Sequence, residues 1–143
     1  MDANLTSSLE DYLEVISNYL KKYNKIRAID ISKELNVSRA SVSEALKRLS
    51  KQGLINYGRY DAITITEEGE KIAHKVIKKH TLLQEFFSNV LGLEEQEATE
   101  NACKIEHIIS EKVFERLYEY IEYNKLHPEF AKEFCTKFDK INH

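Results

Sequence analysis

Three side chains of metal-binding types stand close together in the segment ENACKIEHII. Cys103, Glu106 and His107 lie at positions i, i+3 and i+4, and on a helix this spacing places them on one face. A thiolate, a carboxylate and an imidazole that converge on one point form a mixed sulfur, oxygen and nitrogen ligand set. The pattern predicts a site for a divalent transition-metal ion.

Further candidate ligands lie upstream. Asp11 and Glu14 are three residues apart near the N-terminus, and His80 lies in a long stretch of helical periodicity. Singly, each candidate has an ordinary explanation. His80 or His107 could be a hydrogen-bonded or surface histidine, and Glu106 could pair with a nearby lysine. Asp11 and Glu14 could be solvent-facing charges that are favourable near a helix N-terminus. Jointly, one thiolate, two imidazoles and three carboxylates favour Fe(II), Mn(II), Co(II), Ni(II) or Zn(II) over Ca(II) or Mg(II).

The elements that must position these residues are mostly helical. The 143-residue chain has four Gly, one Pro and no Trp, and it is 42% hydrophobic and 31% charged, which is typical of a folded, soluble protein. No apolar run approaches the roughly 20 residues of a transmembrane helix, and the polar, acidic start is unlike a signal peptide. We therefore expect a cytoplasmic protein that has no membrane partner and keeps Cys103 and Cys135 as thiols.

Helical periodicity and capping residues predict the order of the elements. Thr6 or Ser7 is expected to cap the first helix, with Ser7 and Glu10 as a capping box, and Ser38 is expected to cap the third. The predicted helices cover about 7–23, 28–35, 38–52, 66–91, 95–109, 110–123 and 128 onward, and a hairpin pairs 54–57 with 62–66.

Helix, turn, helix and hairpin in this order predict a winged helix-turn-helix. We expect this DNA-binding domain at 1–72 and an all-helical domain for dimerisation and metal binding at 73–143. The start of the helix after Ser38 would face base edges in the major groove, and its later basic residues would contact phosphates. The predicted DNA-contacting residues are Arg27, Ser38, Arg39, Ser41, Ser43, Lys47, Arg48, Lys51 and Arg59, the last at the hairpin tip. The same charges also fit an ordinary solvated helix face.

Charge is distributed unevenly along the chain, although the net charge is −3. Residues 1–64 hold 10 Lys/Arg against 8 Asp/Glu, which is +2, and residues 65–143 hold 11 against 16, which is −5. The acidic half is a poor partner for phosphate and a plausible one for cations or another subunit.

Candidate metal ligands lie on both sides of the predicted DNA-binding segment. This arrangement predicts a metal-controlled transcription factor.

The chain also resembles the diphtheria-toxin-repressor family of metal-dependent regulators, in the short two-domain form of the manganese transport regulators. The segments that carry the resemblance are EDYLEVI at 10–16, SVSEALKRLSKQGLI at 41–55, ITEEGEKIA at 65–73, KKHTLLQEFF at 78–87 and NACKIEHIIS at 101–110. The resemblance implies a homodimer that binds an inverted-repeat operator in double-stranded DNA and represses genes of metal homeostasis. It implies no catalytic residue.

Carried over by position, the resemblance implies a metal site of mixed character. Asp11 and Glu14 match first-helix ligands of the manganese regulators, and His80 matches a histidine that both branches of the family use. The Glu106–His107 pair is shared, whereas Cys103 matches the iron-responsive branch. We therefore expect Fe(II) by a small margin over Mn(II), with Co(II), Ni(II) or Zn(II) as further candidates in vitro.

The family's ancillary metal site is expected to be absent or altered, since Gln84 and Thr99 stand at the positions of a Glu and a His. Asp61 stands where an Arg is common in the wing.

Three alternatives stay open. One is a winged-helix regulator that senses a non-metal ligand, and chelation would then leave DNA binding unchanged. Another is a metalloenzyme with a Cys/Glu/His site, although no phosphate-binding loop, hydrolase motif or separate general base is visible in the sequence. The third is a structural dimer whose acidic face merely collects cations.

Overall fold

The computed structural model describes residues 5–58, 60 and 62–139. The chain divides into two compact units, Met1–Val76 and Ile77–His143. The division falls inside the longest helix, so this helix begins in the first unit and ends in the second. None of the described helices has both the length and the apolar composition that a membrane span requires.

The first unit is a helix-turn-helix followed by a two-stranded wing. Its elements are α1 (Ser7–Tyr23), α2 (Ala28–Leu35), α3 (Arg39–Lys51), β1 (Ile55–Tyr57), β2 (Ile63–Ile65) and the start of α4 (Glu67–Glu85). The strands are antiparallel, with Ile55 opposite Ile65 and Tyr57 opposite Ile63. The predicted order and types of these elements are confirmed.

Capping explains where these helices begin and end. The Thr6 hydroxyl, rather than that of Ser7, accepts a hydrogen bond from the Leu9 N–H at 3.2 Å, so Ser7 is the first helical residue and the expected capping box with Glu10 is wrong. At the C-termini of α1 and α2, Asn24 and Asn36 adopt left-handed backbone conformations that stop the helix.

Apolar residues on one face of each helix form the core of the first unit. From α1 it receives Leu13 and Ile16, and from α2 it receives Ile31. Each of these side chains is fully buried, and full burial of such a side chain stabilises the fold by about 1.5–3 kcal/mol. The α3 residues that enter this core are Val42, Ala45, Leu46 and Leu49, as the helical period predicts.

The second unit is entirely helical in the part that the structure describes. After α4, residues Phe86–Val90 form one π-helical turn, and α5 (Glu95–Ile105), α6 (Glu111–Leu126) and α7 (Pro128–Asp139) follow. The predicted helix at 66–91 therefore has the expected extent, but its last turn is π-helical rather than α-helical. The prediction for α5 is wrong, because this helix ends at Ile105 rather than near Ile109. Ser110 caps α6 by accepting a hydrogen bond from the Val113 N–H.

A small apolar cluster holds α4, the π-helical turn and α6 together. Leu82, Val90 and Ile121 are buried, and Phe86 packs against them with two residues of α6. Ion pairs join the same elements at the surface, where Lys125 lies 3.5 Å from Glu85. A hydrogen bond to Glu122 and the nearby charges of Glu122 and Glu85 raise the pKa of Lys125.

Candidate metal centre and nucleic-acid interface

Three of the proposed ligands converge inside the second unit. His80 lies on α4, Cys103 lies on α5, and Glu106 is the residue that caps the C-terminus of α5. The His80 Nδ1 atom lies 2.6 Å from Glu106 Oε2 and 3.7 Å from Cys103 Sγ. One nitrogen, one sulfur and one oxygen atom thus meet within 4.8 Å of one another.

Glu106 is the centre of this group. It is one of the few buried charged or polar residues among those described, with 2% of its surface exposed. A buried carboxylate is costly unless it is paired, and its two oxygens face two imidazoles: Oε2 faces His80, and Oε1 lies 3.3 Å from His107 Nε2. The fold thus places a carboxyl group in a buried position with two imidazole nitrogens beside it.

The position of His107 corrects the sequence prediction. The backbone of Glu106 stays helical, at φ −54° and ψ −29°, and its N–H still bonds to the Ala102 carbonyl, so its side chain follows the helical spacing from Cys103. His107 lies beyond the end of α5, in the turn that leads to α6. It joins the group through its contact with Glu106 rather than by sharing a helix face.

The atoms that meet here fit a divalent transition metal. Typical bonds of about 2.0–2.3 Å from such a metal to nitrogen, oxygen or sulfur place neighbouring ligand atoms roughly 3–4 Å apart. The 3.7 Å between His80 Nδ1 and Cys103 Sγ lies in this range, and the shorter contact between His80 Nδ1 and Glu106 Oε2 is a hydrogen bond that an ion would replace. Imidazole, thiol and carboxylate groups together match Fe(II), Mn(II), Co(II), Ni(II) or Zn(II) better than Mg(II) or Ca(II), which take oxygen ligands. The residues present therefore fit the metal that their types predicted.

Asp11 and Glu14 belong to the first unit. Both lie on α1, three residues apart, where they share a helix face and are half-buried. The N-terminus of α1 is capped by Thr6, so a helix rather than a loop sets the direction of both side chains. Their participation in the metal site stays a prediction.

The candidate DNA-binding face lies on α3. The side chains opposite the core are exposed at Arg39, Lys47, Arg48 and Lys51. Ser38 and Ser41 are exposed too, but they cap the helix: the Ser41 N–H donates to the Ser38 hydroxyl at 3.1 Å, and that hydroxyl donates to the Ser41 hydroxyl at 2.9 Å. Ser43 is half-buried, so it offers less of its surface than the sequence interpretation assumed.

A second basic surface lies beside the start of α2. Arg27 is exposed there and pairs with Asp30 on its own helix, at 3.6 Å. It lines an open groove of about 770 Å³ together with Lys25, Arg39 and the exposed Tyr60. The sequence interpretation missed Lys25 and Tyr60, although the basic segment NKIR was a signal for the first. Arg59 and Asp61, the other wing positions discussed above, lie outside the described residues.

Comparison with known proteins identifies the same two parts of the chain. Residues 4–63 match the N-terminal DNA-binding domain of the iron-dependent repressors, and residues 66–135 match the metal-binding and dimerisation domain of that family. Together these matches span most of the chain.

Individual relatives agree with this division. An uncharacterised helix-turn-helix transcriptional regulator of Methanocaldococcus jannaschii, MJ0568, is 39% identical over 119 residues, which is 82% of this chain and 95% of that protein. The transcriptional regulator MntR of Lysinibacillus sphaericus is 28% identical over 128 residues, 90% of this chain and 91% of MntR.

Among solved structures, the manganese regulator SloR superposes with a TM-score of 0.74 at 30% identity, over 83% of this chain and 55% of SloR. The chain thus spans about half the length of SloR. Domain order, fold and sequence identity over most of the chain lead to one conclusion: the chain belongs to the iron-dependent repressor family, the diphtheria-toxin-repressor family that its sequence resembles.

Proposed function

We propose that this protein is a cytoplasmic, homodimeric repressor that binds operator DNA when Fe(II) or Mn(II) occupies the site at Glu106. The observation that carries the proposal is the buried Glu106 carboxylate between two imidazoles, with the Cys103 thiol close by, in a chain of the iron-dependent repressor family. We assign the ion a regulatory rather than a catalytic role, and we assign no catalytic residue.

The two oxygens of Glu106 support a shared carboxylate. Oε2 faces His80 and Cys103, whereas Oε1 faces His107. One ion on the His80 side and a second on the His107 side would each find a nitrogen ligand beside a carboxylate oxygen. We propose that the first position binds the softer ions, because it alone has the sulfur atom.

Fe(II) is the ion that we favour, by a small margin. The thiol of Cys103 moves the preference towards Fe(II), Co(II) or Zn(II), while Asp11 and Glu14 would keep the site suitable for Mn(II). The similarity to SloR, a manganese regulator, keeps Mn(II) as the second candidate.

We propose that a bound ion acts by recruiting carboxylates from α1. Without an ion, carboxylates near one another would repel. With an ion, Asp11 and Glu14 would complete its ligand set. The two α3 helices of the proposed dimer, one from each subunit, would then be held at a spacing near 34 Å, the repeat of the major groove. The DNA-binding residues named above on α3, with Arg27 and Arg59, would then contact the operator.

The experiment is an anaerobic selection of genomic DNA fragments on the purified protein with chelator, Fe(II) or Mn(II). We expect an inverted-repeat site to be enriched only with metal, and the more effective ion identifies the physiological activator. The His80→Ala variant is the control for the site, and it should enrich no fragment with either ion. If the parent protein enriched the same site equally with chelator and with metal, it would be a DNA-binding protein that metal does not control.

A further inference from the structure

An ion pair next to the metal ligands connects the two segments that supply them. Lys79 Nζ lies 2.9 Å from Glu111 Oε1. Lys79 directly precedes His80 on α4, and Glu111 is the first residue of α6, directly after the turn that contains His107. The pair therefore links the helix that provides His80 to the segment that follows Glu106 and His107.

The metal site needs such a link, because its ligands come from different elements. Cys103 and Glu106 are positioned by α5 and its C-terminus, but His80 is positioned by α4 alone. Since hydrogen-bond and coordination distances tolerate only a few tenths of an ångström, a small shift of α4 along or away from that turn would separate His80 Nδ1 from Glu106 Oε2.

The apolar contact between α4 and α6 lies farther from the candidate ligands than the ion pair does. Leu82 and Phe86 pack against Phe114, Leu117 and Ile121, which are farther along both helices. On α4, Lys79 is one turn before Leu82, and on α6, Glu111 is one turn before Phe114, so the pair continues the same contact towards the ligands.

Burial makes Lys79 dependent on its partner. The Lys79 side chain is only 18% exposed, whereas that of Glu111 is 70% exposed. A lysine side chain that is mostly buried has few directions in which its ammonium group can point, and here it points at Glu111. Glu111 also stands in the first turn of α6, where the helix dipole favours a negative charge. Arg116 and Glu119 form a contrasting pair on α6, since both of their side chains are mostly exposed.

We propose that Lys79 and Glu111 are positioning residues of the metal site: their ion pair holds His80 against the turn that contains Glu106 and His107. The inference rests on the proposed function, since it concerns the same ligands. Neither residue needs to touch the ion.

The test compares Co(II) affinity, measured by its visible absorption, in Lys79→Met, Glu111→Gln and the double variant. We expect each single variant to bind Co(II) about tenfold more weakly, as residues that orient ligands typically do. The double variant should lose no more than either single variant, because both changes break one interaction. Lys79→Arg, which keeps the charge, should bind like the parent protein.

A second readout needs no metal. In chelator, the ring-nitrogen NMR signals of His80 report its hydrogen bond to Glu106, and we expect Lys79→Met and Glu111→Gln to shift them in the same way. Arg116→Gln is the matched control, since it removes a charge from an exposed pair on the same helix and should change neither the signals nor the affinity. Thermal unfolding in chelator verifies that every variant is folded.

Different results would overturn different claims. Single variants with Co(II) affinity within twofold of the parent, unchanged His80 signals, or a double variant with the product of both losses would overturn the positioning role. That outcome would leave the proposed function intact, provided that His80→Ala abolishes Co(II) binding. A parent protein that binds no Co(II) would overturn both.

Discussion

At the scale of single residues, Cys103 is the side chain that would set the proposed metal site apart from one with only oxygen and nitrogen ligands. Its sulfur lies 3.7 Å from His80 Nδ1, and its side chain is exposed, whereas Glu106 is buried. An exposed ligand can be replaced without opening a cavity in the core. The preference for a metal is therefore tunable at this position with little effect on folding.

We predict that Cys103→Glu shifts the metal preference towards Mn(II). A carboxylate is a harder ligand than a thiolate, so the ratio of Mn(II) to Co(II) affinity should rise by at least about tenfold. Competition titrations of the two ions measure this ratio. Cys103→Ser is the control, because it removes the sulfur without adding a charged ligand, and it should weaken Co(II) binding without strengthening Mn(II) binding. An unchanged ratio in Cys103→Glu would exclude the thiol as a ligand.

At the scale of elements, the start of α4 is packed tightly against the wing of the first unit. The Thr66 hydroxyl donates to the Gly53 carbonyl at 2.7 Å and accepts from the Gly69 N–H at 3.1 Å. Gly69 faces the chain just before β1: a methyl group on its Cα would lie 2.1 Å from the Leu54 carbonyl oxygen. This contact, rather than backbone flexibility, explains a glycine inside a helix.

We predict that Gly69→Ala lowers the free energy of unfolding by about 1–3 kcal/mol, although alanine is the better helix former. The cause is the collision with Leu54, which must push the helix away from the hairpin. Urea unfolding followed by circular dichroism measures the change. Gly58→Ala is the matched control, since nothing lies within 4 Å of its added methyl group, and its effect should stay within about 0.5 kcal/mol. Equal stability of Gly69→Ala and the parent would contradict the close packing described here.

At the scale of the whole molecule, the charge and the candidate ligands are divided between two units. The first 64 residues hold the net positive charge, and the remaining 79 hold the net negative charge, along with His80, Cys103, Glu106 and His107. A ligand shifts an equilibrium only by its difference in affinity for the two states. A change from 1% to 99% of the DNA-competent form requires about 5.5 kcal/mol of preferential metal binding, and ligands from both units would supply such a difference.

We predict that Asp11→Met and Glu14→Ala weaken metal-dependent DNA binding and leave the dimer intact. Each change removes a carboxylate ligand of the first unit, whereas dimerisation is assigned to the second. Operator binding titrated against metal, together with sedimentation of the protein alone, separates the two properties. Glu67→Ala removes an exposed acidic residue near the start of α4 and should behave like the parent. Normal metal-dependent operator binding by either Asp11→Met or Glu14→Ala would exclude the recruitment of α1.

Much of this protein was determined by its local sequence. Asn36 adopts the left-handed conformation that ends α2, Ser38 caps the start of α3, and the apolar period of α3 buries the expected face. These features depend on residues within one or two helical turns. The residue types of the candidate ligands, and the family to which the chain belongs, follow from the sequence for the same reason: they are read position by position.

Only the tertiary structure decided which of these residues meet, and in what way. The helix after Glu95 stops at Ile105, so His107 reaches the group through Glu106 instead of along a helix face. The contact between His80 and Glu106 spans 26 residues of chain, and the Lys79–Glu111 pair joins two different helices. Periodicity and capping describe interactions between near neighbours. Contacts across such distances in the chain depend on how whole helices pack, which no local pattern contains.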